Sequence, residues 1–108
     1  MSTERLDQLR TMLAEEPGDP FLRYAIALEH KRAGDMEQAV EVLTGLLEED
    51  PGYIACYYQL ALLLADLGRT ADALRACETG ALQCLVTNDL KARNELLQLK
   101  NALLGDDE

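Results

Sequence analysis

The fold is decided by two short stretches that echo each other, MLAEEPG at residues 12–18 and LLEEDPG at residues 46–52. Position 12 thus corresponds to position 46, an offset of 34 residues. Self-similarity at a fixed period of this length is typical of a repeat architecture. The same spacing, carried onward, pairs further residues of identical type: Tyr24 with Tyr58, Ala27 with Ala61, Leu28 with Leu62, Gly34 with Gly68, and Ala39 with Ala73. The chain therefore contains an internal 34-residue repeat.

Each repeat is predicted to be a pair of antiparallel helices, because the chain is rich in Leu, Ala, Glu and Arg, which favour helices. Gly34 and Gly68 each end an apolar-periodic segment, where a glycine can adopt the left-handed conformation that closes a helix. The next helix begins almost at once, and so short a link makes a hairpin. Pro17 and Pro51 then end the second helix of a pair, since proline removes a donor and clashes with the preceding turn.

A 34-residue helix–turn–helix with this placement of glycine, alanine and proline resembles the tetratricopeptide repeat family. The resemblance implies an all-α fold of antiparallel helix hairpins that form a short right-handed superhelix. It divides the chain into a leading half-repeat (1–19), two repeats (20–53 and 54–87), a C-terminal capping helix (88–104) and a frayed tail (105–108). Six helices are expected, near residues 3–16, 20–33, 36–49, 54–67, 70–84 and 89–104.

The chain also departs from the family's pattern at several positions. Arg23 and Tyr57 stand where the family favours Trp, and His30 stands where it favours Tyr. Leu85 occupies the position of a third proline, so the end of the second repeat is the least well defined boundary.

Composition and charge exclude several functions. The 108 residues carry a net charge of −10, which disfavours binding to nucleic acid or to an anionic membrane, because both need clustered Lys and Arg. The first residues show no apolar signal region, and the longest apolar run, residues 60–65, is too short to span a bilayer. We expect a cytoplasmic protein. The few lysines fit either a salt-adapted host or an ordinary acidic cytosolic protein.

Residues that carry chemistry are sparse, so no enzyme, metal site or cofactor is predicted. His30 is the single histidine and Ser2 the single serine, and no phosphate-binding or zinc-binding motif occurs. The cysteines Cys56, Cys77 and Cys84 are interpreted as small buried hydrophobic residues in a reducing compartment.

The family resemblance places the binding surface on the first helix of each pair, which lines the concave face. The last helix, 89–104, carries two apolar stripes: Leu90, Leu97 and Leu104 form one, and Ala92, Leu96, Leu99 and Leu103 form the other. If the first stripe packs on the preceding hairpin, the second faces the groove, and the concave surface is then apolar nearly throughout. Alternatively, the last helix tilts inward and fills the groove.

The predicted function is therefore that of a protein–protein interaction module, which binds an amphipathic helix or an extended apolar segment of a partner polypeptide. Capture of a C-terminal carboxylate is disfavoured, because Lys31 and Arg93 are the nearest cations. The alternative is self-association into a homodimer, with the groove filled by the last helix. The predicted partner-binding residues are Phe21, Tyr24, Leu28, Lys31, Tyr58, Gln59, Leu62, Leu96 and Leu99, with Tyr24 and Tyr58 at the centre.

Overall fold

Six helices make up the structure, a computed structural model that describes residues 2–105, with side chains from residue 4 onward. The helices are α1 (Ser2–Glu15), α2 (Pro20–Arg32), α3 (Met36–Glu49), α4 (Ala55–Asp66), α5 (Thr70–Thr87) and α6 (Leu90–Gly105). No strand occurs among the described residues, and the predicted all-α class is confirmed. The predicted frayed tail falls outside the described residues except for Gly105, which belongs to α6.

The two predicted hairpin turns are present where the glycines stand. Gly34 and Gly68 have φ angles of 85° and 79°, in the left-handed region that favours glycine. The backbone amide that follows each glycine donates to a carbonyl five residues back, from Asp35 to His30 at 2.9 Å and from Arg69 to Leu64 at 2.8 Å. These bonds satisfy carbonyls that the helix end would otherwise leave without a partner, and they turn the chain directly into the next helix.

Helix α5 is longer than predicted, because Leu85 replaces the proline that would have ended it. It runs to Thr87 and ends at Asn88, whose φ of 58° lies in the left-handed region. Asp89 then begins α6, since its Oδ1 accepts a hydrogen bond from the amide of Ala92 at 3.1 Å. The overrun therefore delays the start of α6 relative to the 34-residue period.

The described chain divides after Asp50 into two compact units, which we call the amino-terminal unit (α1–α3) and the carboxy-terminal unit (α4–α6). In the first, α2 packs against both α1 and α3, around Leu9, Leu22 and Ile26. In the second, α5 packs against both α4 and α6. Its largest fully buried side chains are Cys56, Leu63, Cys77, Cys84 and Leu96.

Helix α5 approaches both of its neighbours very closely at Gly80. A Cβ atom added to Gly80 would lie 2.7 Å from Tyr57 Cβ of α4 and 2.8 Å from Leu96 Cδ1 of α6. Both distances are shorter than van der Waals contact, so only a glycine fits while the three helices keep this spacing. Gly80 is therefore the point on which the packing of the carboxy-terminal unit depends.

Candidate binding cleft

An open cleft of about 450 Å³ lies between α4 and α6 in the carboxy-terminal unit. We call it the α4–α6 cleft, and it is lined by Tyr58, Glu95, Gln98, Leu99 and Ala102. Tyr58 is 36 % exposed, so about a third of the residue's surface is accessible to a ligand. The cleft thus combines an aromatic ring and an aliphatic side chain with one carboxylate and one amide.

Two adjacent tyrosines on α4 have different roles. Tyr57 is buried, and its hydroxyl donates a hydrogen bond to the Pro51 carbonyl at 2.6 Å. This bond and the contact with Gly80 fix the rotation of α4 about its axis. Tyr58 lies about 100° further round the helix, which directs its ring into the cleft. The buried tyrosine therefore positions the exposed one.

The structure contradicts the arrangement in which the first stripe of α6 packs inward and the second faces the groove. Leu90 and Leu104, from the stripe expected to pack inward, are 57 % and 44 % exposed, whereas Leu96 is only 1 % exposed. Leu96 packs inward because Gly80 on α5 has no side chain and leaves room for it. Leu96 is a core residue, and its side chain is not available to a partner.

The cleft is also less apolar than predicted, because Leu99 of the second stripe lines it beside the polar residues Glu95 and Gln98. These two polar residues were not among the predicted site residues. They lie on the same side of α6 as Leu99, a proximity that becomes visible once the burial of Leu96 fixes the rotation of α6.

The other predicted binding residues lie on the predicted helices, and their role in binding stays a prediction. On α2, Phe21 is exposed, and Tyr24, Leu28 and Lys31 are half-buried. Gln59 and Leu62 on α4 are half-buried as well. The structure places Tyr58 and Leu99 together in one cleft; the predicted pairing of Tyr58 with Tyr24 stays a prediction.

A second groove lies on another side of α6, where α6 meets α5. This α5–α6 groove has a volume of about 400 Å³ and is lined by Glu78, Ala81, Leu82, Leu85, Arg93, Leu97 and Lys100. Arg93 was expected near the concave row but lies here. Its Nε atom is buried and has no hydrogen-bond partner among the described residues. Lys100 Nζ pairs with Glu78 Oε2 at 3.1 Å.

The single histidine and the cysteines lie in the interior. His30 is 6 % exposed, and Cys56, Cys77 and Cys84 are buried free thiols, as their interpretation as small hydrophobic residues requires. Burial raises the pKa of the Cys77 thiol, the Glu78 carboxylate raises it further, and the Lys100 ammonium opposes both. Burial also raises the pKa of Cys84, with Asp89 adding to the effect and Arg93 opposing it.

Slow thiol labelling should follow from these raised pKa values. The thiolate is the reactive form, and a raised pKa leaves less of it at pH 8. We expect iodoacetamide to modify Cys77 and Cys84 at least roughly tenfold more slowly in the native protein than in the unfolded chain. Mass spectrometry of timed samples, with and without denaturant, measures both rates. Equal rates would contradict the burial of these thiols.

Metal and membrane sites receive no support from the described part of the chain. Between residues 2 and 105, no three His, Cys, Asp or Glu side chains gather closely enough to hold a metal ion. Over the same range, none of the helices combines the length and the apolar character that crossing a membrane requires.

The helical hairpins and their 34-residue period define a helical-repeat protein. Comparison with known proteins makes the class specific. Residues 31–83 match the family model described as tetratricopeptide repeat. A TPR repeat-containing protein of Pseudomonas aeruginosa is 31 % identical over 91 residues, which span 84 % of this chain and 87 % of that protein. The chain belongs to the tetratricopeptide repeat family.

Solved structures share the fold. The crystal structure of a tetratricopeptide repeat domain protein from Salinibacter ruber is 34 % identical, with a TM-score of 0.76, and the match covers 81 % of this chain and 97 % of that one. The TPR2B domain of yeast Sti1, in a complex with pHsp70, is 16 % identical, with a TM-score of 0.87 over 97 % of this chain and 84 % of that one. Because its sequence identity is low, the yeast domain is similar to this chain in fold alone.

Proposed function

We propose that this protein binds a partner polypeptide in the α4–α6 cleft, through a segment that carries one apolar and one basic side chain. Tetratricopeptide repeat domains are in general protein–protein interaction modules, and the yeast domain of this fold is in a complex with pHsp70. The observation that carries the proposal is the exposed ring of Tyr58 in an open cleft beside Leu99.

The chemistry of the cleft indicates what the segment carries. Tyr58 and Leu99 offer apolar surface to an aliphatic or aromatic side chain, and aromatic anchors in pockets contribute most of the energy at many interfaces. Glu95 is exposed at the cleft and offers a carboxylate to a lysine or arginine. The net charge of −10 favours the approach of a basic segment. An amphipathic helix with a basic flank satisfies both requirements.

The size of the site limits the affinity. A short cleft buries little apolar area, and ordering a flexible segment offsets part of the gain, so we expect dissociation constants of about 1–100 μM. The absence of nucleic-acid binding, of cofactors and of catalysis, and a cytoplasmic location, stay predictions from the sequence.

A selection from a random peptide library displayed on phage tests the proposal and does not require the partner to be identified first. We expect the enriched peptides to share an apolar residue next to Lys or Arg. Tyr58→Ala should weaken binding of the selected peptides at least about tenfold, because it removes a central aromatic contact. Fluorescence anisotropy of labelled peptides measures the dissociation constants.

Matched variants show whether the cleft itself is responsible. Val86→Ala changes a side chain that is 79 % exposed and does not line the cleft, so it should leave the affinity unchanged. Glu95→Gln should remove the preference for basic residues while keeping the apolar one, and Tyr24→Ala shows whether α2 also takes part. Peptides that bind equally well to the Tyr58→Ala variant would place the site elsewhere.

A further inference from the structure

The two units contain equivalent grooves, and only the amino-terminal one is complete among the described residues. In that unit, α1 contributes Arg10 and Leu13 to a groove, α2 contributes Arg23, Ile26 and His30, and α3 contributes Gln38, Glu41 and Val42. When positions of α1 are shifted by two repeat periods, they fall on α5: Arg10 falls on Glu78 and Leu13 on Ala81, and both of these line the α5–α6 groove.

Positions of α2 fall on α6 when the shift is two positions longer. Arg23 then falls on Arg93 and His30 on Lys100, and these residues line the same groove.

The two extra positions in this shift have a structural cause. Helix α5 overruns the repeat period, because Leu85 replaces the proline that would end it, and α6 begins correspondingly later. With the longer shift the buried Ile26 falls on Leu96, which is also buried. The α5–α6 groove is therefore the counterpart of the amino-terminal groove, with α5 in place of α1 and α6 in place of α2. A counterpart of α3 is missing from its described lining.

Arg93 shows what the missing helix would supply. In the amino-terminal unit, the corresponding Arg23 pairs with Glu49 at the end of α3, with 3.0 Å between Nη1 and Oε1. Within residues 4–105, the buried Nε of Arg93 has no hydrogen-bond partner. Beside it, Leu82 and Leu85 of the groove are 65 % and 53 % exposed. The groove thus lacks an apolar helix that ends in an acidic residue.

Helix α1 of the same chain has this pattern. The echo of residues 12–18 in residues 46–52 makes Glu15 the counterpart of Glu49, and Met12 the counterpart of Leu46. Leu46 lies beside Arg23 and Glu49 and is buried, whereas Met12 is 50 % exposed. Glu15 is exposed too. The exposed side of α1 therefore carries Met12 and Glu15, the apolar and the acidic residue that the α5–α6 groove requires.

We propose that α1 of a second copy of this chain docks in the α5–α6 groove, antiparallel to α6, with its Glu15 carboxylate on the Arg93 guanidinium. The copies then associate head to tail, and α6 of one with α1 of the next completes a helix pair of the α2–α3 kind. Such a contact joins two different surfaces, so each terminal copy keeps a free α1 or a free groove. This inference does not depend on the function proposed for the α4–α6 cleft.

Charge supports the choice of a second copy as the occupant. Residues 1–50 contain twelve acidic and five basic residues, a net charge of −7. Residues 51–105 contain five of each and are neutral, and the last three residues of the chain add −3. The more acidic part of one copy therefore meets the less acidic part of the next, whose groove presents Arg93 and Lys100.

Two residues weaken the contact relative to an intramolecular hairpin. Arg5 stands where α3 has the buried Ala39, and Leu97 stands where α2 has the buried Ala27. These larger side chains keep α6 and the docked α1 further apart near Arg5 and Leu97. We expect association at protein concentrations of roughly 10–1000 μM.

Sedimentation velocity over a hundredfold concentration range tests the proposal. The sedimentation coefficient of the unchanged protein should rise with concentration beyond the value for a dimer. Glu15→Arg and Arg93→Glu should each weaken association at least about tenfold, because each places like charges opposite one another. The control variants Glu48→Arg and Arg75→Glu change exposed charges outside the α5–α6 groove and should associate like the unchanged protein.

Mixtures and a double variant test whether Glu15 and Arg93 face each other in the contact. An equimolar mixture of the two single variants should associate again beyond a dimer, because the original pair forms at one contact and the pair with exchanged charges forms at the next. The double variant Glu15→Arg/Arg93→Glu should regain association, because the pair is present with its charges exchanged. Circular dichroism verifies that every variant is folded, and the double variant separates a lost contact from a lost fold.

Several outcomes would overturn the proposal. These are an unchanged protein that stays monomeric up to a concentration of about 1 mM, a closed symmetric dimer, single variants that associate normally, and a mixture that stays monomeric. A monomer that still binds peptides through Tyr58 would refute the head-to-tail contact alone. A protein that assembles but binds no peptide would refute only the function proposed for the cleft.

Discussion

Replacing Gly80 by alanine should destabilise the carboxy-terminal unit by about 1–3 kcal/mol, although alanine is the better helix former. The added Cβ would lie 2.7 Å from Tyr57 Cβ and 2.8 Å from Leu96 Cδ1. Tyr57 Cβ is attached directly to the backbone of α4, so a rotation of the side chain cannot relieve the clash. The helices must move apart, and Tyr57 and Leu96 lose packing. Chemical denaturation followed by circular dichroism measures the change.

Gly45 provides a matched control for this substitution. It also lies inside a helix, α3, but an added Cβ would meet only the guanidinium end of Arg23, at 3.3 Å. That end can move aside, so the propensity of alanine decides the sign. Gly45→Ala should therefore stabilise the protein by about 0.5–1 kcal/mol. A similar loss at both positions would mean that α5 does not approach its neighbours as closely as described.

Replacing Leu96 by alanine should cost about 2–5 kcal/mol, because it leaves a cavity where a fully buried side chain stood. Leu90→Ala is the matched control on the same helix, and because Leu90 is 57 % exposed it should change the stability by less than about 0.5 kcal/mol. Denaturation curves give the loss, and hydrogen exchange shows whether α6 is the helix that opens. A larger effect at Leu90 would mean that the stripe of Leu90, Leu97 and Leu104 is the buried side of α6.

The helix hairpins could be predicted because local residues specify them. Gly34 and Gly68 close helices through their left-handed backbone conformation, and Pro17 and Pro51 each stand two positions after the last residue of a helix. The internal repeat adds a second copy of each signal. These features depend on backbone conformation, which neighbouring residues largely determine.

The rotation of α6 could not be predicted in the same way. Two apolar stripes compete on this helix, and the choice depends on the surface that α5 presents. That surface is set by Gly80, whose lack of a side chain admits Leu96. Considered locally, a glycine inside a helix only lowers its stability, and its role as a packing site appears when α4 and α6 are placed beside it. The cleft residues Glu95 and Gln98 were missed for the same reason.

The overrun of α5 also bears on how the array could be lengthened by design. Helix α6 keeps the buried and groove-lining positions of α2 at a spacing two positions longer than two repeat periods, so a unit appended after α6 must be counted from α6 itself. A unit inserted between residues 53 and 54, where the period is still intact, would continue the pattern of its neighbours. The turn at Asn88 therefore absorbs the two extra positions, and the array can continue from α6 in the register that α6 sets. A designer who wished to extend the protein from this end would keep α5 and its turn and would place the next hairpin by counting from Leu90, where α6 begins.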